Sequence, residues 1–187
     1  MNWGRVAKRI RVPLGFLFAA FFLWRARPEW WALGMGSAVA LAGVWIRAVS
    51  SGHVKKNEEL ATTGPYAYTR NPLYFGSIVI ALGFALASLR WEIAAALVFM
   101  FAAIYIPVIR GEEQFLSGHF ANYSDYCLRV PRLLPRLTPG IQQSGAAGDG
   151  PSGFSRELYL KHREYNALLG TLAVITALVA KRILMAR

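Results

Sequence analysis

Gly64-Pro65-Tyr66-Ala67-Tyr68-Thr69-Arg70-Asn71-Pro72-Leu73-Tyr74-Phe75-Gly76 is the stretch on which the reading of this chain turns. Its centre, Arg70-Asn71-Pro72, is polar and rigid, and it opens directly onto the apolar run Leu73 to Leu89. Asn is a preferred N-cap and Pro suits the first helical position. A residue before proline is driven out of the α region, as an N-cap must be. The pattern predicts a helix starting at Pro72, with unpaired N–H groups and a positive dipole end beside Arg70, an arrangement suited to a carboxylate or phosphate. Gly76 falls one turn later on the same face, where a missing side chain would let a ligand approach the backbone. The plainer alternative is a helix entrance at a membrane surface, with Arg70 reaching up to lipid phosphate.

Outward from this stretch the chain is built of apolar blocks. It has 187 residues, 55% of them hydrophobic, and a mean hydropathy of +0.34, too apolar for an ordinary soluble domain. The blocks are Val12 to Trp24, Trp30 to Ile46, Leu73 to Leu89, Trp91 to Ile109 and Ala167 to Ala180. The middle three approach the roughly 17–25 residues a spanning helix needs, and the outer two are short unless their flanks extend them. The expected fold is all-α, a polytopic transmembrane helix bundle of about five spans. The first block follows Arg5, Lys8, Arg9 and Arg11 as in a signal peptide, but no small-residue cleavage site follows it, so it is read as part of the mature protein.

The formal net charge of +11 would suggest nucleic acid in a soluble domain. Here the basic residues sit in tails and loops between apolar spans, so the reading is membrane and anionic lipid, with no nucleic-acid partner. Lys and Arg number four before the first block, two at the Arg25 turn, four from Arg47 to Arg70, one at Arg90 and seven from Arg110 to Arg163. That alternation puts the N-terminus, the Arg70 loop and the long C-terminal region on the cytoplasmic side. Cys127 is the only cysteine, and His53, His119 and His162 show no ligand spacing, so no metal site is expected.

The second block carries Gly34, Gly36, Ser37, Ala38, Ala40, Ala42 and Gly43, a small-residue face that permits close helix packing in lipid. His53 and Lys55 lie in the polar stretch after it and are candidates for pocket lining; Lys56, Glu58 and Glu59 read as solvated loop. The third and fourth blocks are joined so tightly at Ser88-Leu89-Arg90-Trp91-Glu92 that they form a hairpin. It returns Arg110-Gly111-Glu112-Glu113 toward the start of the third helix. Charges at such a place are functional candidates by default. One pocket would then hold anion-attracting and cation-attracting groups together, which suits a zwitterionic or sulfonium ligand. Gln114 to Val130 reads as one amphipathic helix ended by Pro131, Thr138 to Gly153 as a flexible linker, and Phe154, Leu158 and Tyr165 as one face of a charged helix leading into the last block.

Together, Gly-Pro-Tyr, Arg70-Asn71-Pro72-x-Tyr74-x-Gly76, Arg110-x-Glu112-Glu113, Tyr123-x-x-Tyr126 and Val130-Pro131-Arg132 with Pro135 resemble the isoprenylcysteine carboxyl methyltransferase family. These are integral-membrane enzymes related to the phospholipid N-methyltransferases. The resemblance covers about residues 47 to 137. It implies S-adenosylmethionine held in a cytoplasmic pocket and a lipidated small-molecule or peptide substrate entering from the bilayer. By position it implies His53, Tyr66, Arg70, Pro72, Tyr74, Gly76 and Glu113 as cofactor residues, with Asn71 standing where the family commonly has His. It implies Arg110, Glu112 and Glu113 as the residues nearest the reacting groups. The expected organisation is one domain, 1–187: an N-terminal hairpin (1–49), a catalytic core (50–137), the linker (138–153) and a C-terminal amphipathic and apolar helix (154–187). A phospholipid amine as acceptor and a non-enzymatic lipid-binding scaffold are the competing readings.

Overall fold

The computed structural model describes residues 3–55, 59–141 and 154–186, with side chains of the first helix from Pro13 onward. Helix α1 (Trp3–Arg25) and α2 (Trp30–Ser51) form the N-terminal hairpin. After a loop and a one-turn 3₁₀ segment at Gly64–Ala67 come α3 (Pro72–Ser88), α4 (Trp91–Met100) and α5 (Ile106–His119). Short α6 (Tyr123–Arg129) and α7 (Arg156–Lys161) precede the last helix, α8 (Tyr165–Met185). No strand occurs among the described residues. Three helical stretches, Trp30–Ser51, Trp91–His119 and Tyr165–Met185, are long and apolar enough to cross a membrane, and Pro13–Arg25 and Pro72–Ser88 are shorter apolar ones. The all-helical membrane bundle expected from the blocks is what the chain forms.

The principal seam is α2 against α3. In lipid, apolar side chains gain nothing by leaving their surroundings, so helices associate by close van der Waals approach, which small residues allow. Gly36, Ala40, Gly43 and Arg47 on α2 meet Gly76, Ile80, Gly83 and Ala87 on α3, the same 4-3-4 spacing on both. A Cβ on Gly83 would lie 2.5 Å from the Ala40 nitrogen and the Gly36 oxygen, and one on Gly43 would lie 2.7 Å from the Gly76 oxygen. The seam is therefore closed by backbone rather than by side chains.

At the end of the bundle away from the Arg70 loop, Phe22, Ala26, Leu33, Ala87, Ile93 and Leu178 form one buried cluster drawn from five helices. Leu89 at φ 51° closes the α3–α4 turn, whose Ser88 carbonyl accepts from Arg27 N at 3.0 Å. Helix α8 crosses the whole bundle. It starts beside α2, where Glu164 meets Arg47, and ends where Arg182 pairs with Glu29 at 3.1 Å. The flanks Tyr165, Asn166 and Lys181–Met185 lengthen the last helix to 21 residues, long and apolar enough to cross a membrane.

Helices α4 and α5 are one rod interrupted by a π-helical turn at Phe101–Tyr105. Pro107 accounts for it: it has no N–H to give, and its ring crowds the carbonyl of Ala103, so the turn before it widens. Two helices expected to be continuous are broken. Gln114 to Val130 divides at Phe120, which is extended (φ −122°, ψ 114°). The break swings Tyr123, Tyr126 and Val130 onto Leu60, Leu116 and Phe120, burial that a straight helix would forgo. The C-terminal helix divides at His162–Glu164, where Arg163 takes φ 53°. Of the linker, residues 142–153 lie outside the described residues, while Gly140 N donates to Ala67 O at 2.8 Å.

Candidate functional site

The loop between α2 and α3 is held by its neighbours rather than by its own secondary structure. Gly64 turns at φ +56°, and the space its side chain would fill is taken by the His53 ring, 2.5 Å from an added Cβ. His53 also lies 2.8 Å from Val49 O through Nδ1, so it braces the turn from behind. Residues 130–136 lie alongside 67–71 and tie them down. Arg70 N donates to Pro131 O at 2.9 Å, Thr69 Oγ1 to Leu133 O at 2.9 Å, and Arg136 N to Tyr68 O at 3.0 Å. This is why the Val130-Pro131-Arg132 and Arg70-Asn71-Pro72 motifs occur together: one is the backbone support of the other.

Asn71 occupies the N-cap position but does not cap. Its Nδ2 donates to Arg132 O at 2.8 Å, and α3 has no side-chain cap. The cap expected from the sequence is thus given up to the supporting strip, which leaves the α3 N-terminus open toward the space in front of it. Beside it, Arg70 is mostly buried. Its Nη1 lies 3.2 Å from Glu113 Oε1 and 2.6 Å from Cys127 Sγ, and Glu113 Oε2 in turn takes Arg132 at 2.7 Å. One buried carboxylate therefore holds two guanidinium groups. The Tyr123 hydroxyl lies against Arg70 and Cys127 and completes this cluster.

The space in front of these groups is a cavity of about 570 Å³, within the roughly 300–1,000 Å³ typical of small-molecule sites. Of the expected residues, Tyr66, Arg70, Asn71, Pro72, Tyr74 and Glu112 line it. Glu112 accepts from Tyr74 Oη at 3.0 Å and makes no ion pair among the described residues. The tyrosines are kept neutral: burial raises the phenols of Tyr66 and Tyr126 above their ordinary range. Burial, with Glu113 nearby, pushes Tyr123 up to about 12. Tyr126 Oη donates to Tyr66 O at 2.8 Å, locking α6 to the loop.

Four expected residues stand elsewhere. His53 is behind the Gly64 turn, as described. Gly76 faces α2, where an added Cβ would lie 2.6 Å from Arg47 Cγ, so its missing side chain makes room for Arg47 rather than for a ligand. Arg110 is exposed and outside the cavity lining. Glu113 is behind Arg70 rather than on the wall. Conversely, the cavity includes groups the sequence pattern did not single out: Arg47, Glu59, Tyr105 and Glu164. Lys55, expected as lining, is there too and pairs with Glu59 at 3.1 Å. Tyr105 comes from the π-turn, its ring 5.7 Å from that of Tyr74, and only the Pro107 signal could have pointed to it. Glu164 carried no signal, because its partner is far away in sequence. Among the described residues no group of three or more His, Cys, Asp and Glu is arranged to hold a metal ion.

An apolar helical bundle with three helices long and apolar enough to cross a membrane, and a polar, aromatic-walled cavity at one end, has the architecture of a polytopic membrane protein. Residues 43–123 match the model of the phospholipid methyltransferase family, which lies within the isoprenylcysteine carboxyl methyltransferase-like group of membrane methyltransferases that the motifs of this chain resemble. Methyl transfer is the activity of this family. The matched segment runs from the Gly43 contact on α2 through the Arg70 loop to Glu112, Glu113 and Tyr123.

The chain is 38% identical over 105 residues to the nickel-cobalt-cadmium resistance protein NccN of Alcaligenes xylosoxydans xylosoxydans, a match covering 56% of this chain and 48% of that protein. It is 34% identical over 137 residues to the cobalt-zinc-cadmium resistance protein CzcN of Cupriavidus metallidurans, covering 68% and 62%. The chain thus spans between about half and three fifths of the length of these relatives. No solved structure matches it.

Proposed function

We propose that this protein is an S-adenosylmethionine-dependent membrane methyltransferase whose acceptor is a lipidated or isoprenoid compound, in the manner of an isoprenylcysteine carboxyl O-methyltransferase, with its pocket on the cytoplasmic side. The observation that carries the reading is the cavity at the uncapped α3 N-terminus, whose lining includes Arg70, Glu112 and the tyrosines Tyr66, Tyr74, Tyr105, Tyr123 and Tyr126. Arg70 and the helix N-terminus suit a methionine carboxylate. Glu112 suits the ammonium or the cationic sulfur, and the Tyr66 and Tyr126 walls suit a purine. When bound, the cofactor supplies an electrophilic methyl group. The chain's own part is to orient the acceptor and to exclude water, which such a transfer needs more than acid or base help. The relatives' names add a physiological setting, resistance to nickel, cobalt, cadmium or zinc.

A phospholipid amine is the second reading, and one observation favours it. Glu112 is a carboxylate on the cavity wall with only the Tyr74 hydroxyl as its described partner, placed to take a proton from an amine. The two acceptors separate in one experiment with protein in liposomes, a prenylated cysteine analogue or phosphatidylethanolamine, and labelled cofactor. A product that releases methanol in mild base is an ester; a base-stable one is a methylamine. For the carboxyl acceptor, Glu112→Gln is expected to keep its kcat at saturating cofactor within a few-fold, since no proton need leave, and to raise only the KM for the cofactor, whose cationic groups lose a counter-charge. A base-stable product together with a fall of about 10²-fold or more in Glu112→Gln would replace the first reading by the second.

A further inference from the structure

We infer that Arg47 and Glu164 are a positioning pair through which the C-terminal segment becomes a wall of the cavity. The inference rests on the cofactor reading above and adds Arg47, which none of the motifs includes, and Glu164, which neither the family match nor the motifs include. Glu164 lies well beyond the matched segment, which ends at residue 123.

The geometry begins at Gly76. Because it has no side chain, the Arg47 stem lies across the first turns of α3. The guanidinium then uses both of its ends. Nη1 donates to Ser77 Oγ at 2.6 Å and to Leu73 O at 3.3 Å, both on α3. Nε and Nη2 meet Glu164 Oε2 and Oε1 at 3.0 and 2.7 Å, a two-pronged fit that lysine could not make. Both side chains are largely buried and both line the cavity.

Three further contacts dock the C-terminal segment on the end of α2. Ser155 N donates to Gly52 O at 2.9 Å, His162 Nδ1 lies 3.2 Å from Ser51 O, and the Phe154 ring covers Gly52. Arg163 takes the left-handed backbone that turns Glu164 inward, a conformation a non-glycine residue keeps only when its surroundings impose it. A largely buried ion pair adds little stability by itself relative to apolar groups in the same place, since desolvation offsets the attraction. Its effect is instead to fix where the guanidinium sits, and through Leu73 and Ser77 where the first turns of α3 sit, next to the Arg70 and Asn71 entrance.

The test is calorimetric binding of S-adenosylhomocysteine to the full chain in detergent, with thermal unfolding of the same samples. Glu164→Gln is expected to weaken binding by about tenfold and, because it leaves the Arg47 charge without its counter-charge, to lower the unfolding midpoint as well. The charge-swapped double variant Arg47→Glu with Glu164→Arg restores an ion pair but removes the donors to Ser77 and Leu73, so its binding is expected to remain weak even with the midpoint restored. Binding by Glu164→Gln within about twofold of the unchanged protein would overturn the inference. So would a swap that restores affinity along with stability, because a purely structural tie behaves that way. If Glu164→Gln does not fold, the swap decides alone. Failure of the unchanged protein to bind is a different result: it removes the cofactor reading itself, and the pair's role with it.

Discussion

Glu113→Ala is expected to abolish methyl transfer, with a fall of at least about 10²-fold, and to destabilise the protein by about 3–5 kcal/mol. The carboxylate is the shared partner of Arg70 and Arg132 and has a side-chain exposure of only 11%. Removing it leaves the Arg70 guanidinium buried with no counter-charge, and such a charge costs far more than the pair itself contributes. Arg70 would then move toward water and out of the cavity, carrying the anion-binding face with it. Methylation assays beside thermal unfolding check both halves. Glu113→Gln, which keeps the shape and one acceptor oxygen, should fall between the two. Full activity in Glu113→Ala would mean that Arg70 needs no anchor and that the carboxylate has no part in the site.

The second large effect concerns the α2–α3 seam. Gly83→Leu is expected to destabilise the bundle by at least about 3 kcal/mol, the upper end of the overpacking range, because the atoms its Cβ meets at 2.5 Å are backbone and cannot rotate away. Gly34 is the control. It lies on the same α2 helix, but an added Cβ there meets nothing within 4 Å. Gly34→Ala should therefore be neutral or stabilise the helix by up to about 1 kcal/mol. Equal unfolding midpoints for the two variants would show that the seam is not closed as described. Because Arg47 and Gly76 belong to the same seam, a bundle opened at Gly83 should also bind cofactor less well.

What could be read in the sequence was what depends on local pattern. Proline at the first position fixed the start of α3 at residue 72 as read, and the short Ser88–Glu92 turn brought Glu112 and Glu113 back to Arg70. The small residues of α2 marked a packing face, although their partners on α3, Gly76 among them, had to be seen in place. Competition between partners was not legible. Asn71 has the composition of a cap, yet the Arg132 carbonyl outbids the helix for its amide. His53 and Gly76 have the motif positions of ligand contacts and are instead the filler of a turn and the clearance for an arginine stem. Glu164 lay outside every pattern because its meaning comes from Arg47, on a helix near the other end of the chain. The breaks at Phe120 and Arg163 are of the same kind, since each gives up helical continuity to bring side chains against the loop or α2.

The central claim is that the cavity beside Arg70 is a cofactor site. The most direct test is calorimetric binding of S-adenosylmethionine and S-adenosylhomocysteine to detergent-purified protein, beside Arg70→Ala. In that variant Glu113 keeps Arg132 at 2.7 Å, so the fold retains its buried carboxylate paired. The account predicts a dissociation constant of about micromolar order for the unchanged protein and no measurable binding for the variant. Absence of binding in folded, unchanged protein, or equal binding in both, would contradict it and leave the Arg70 loop as the surface entrance of a membrane helix.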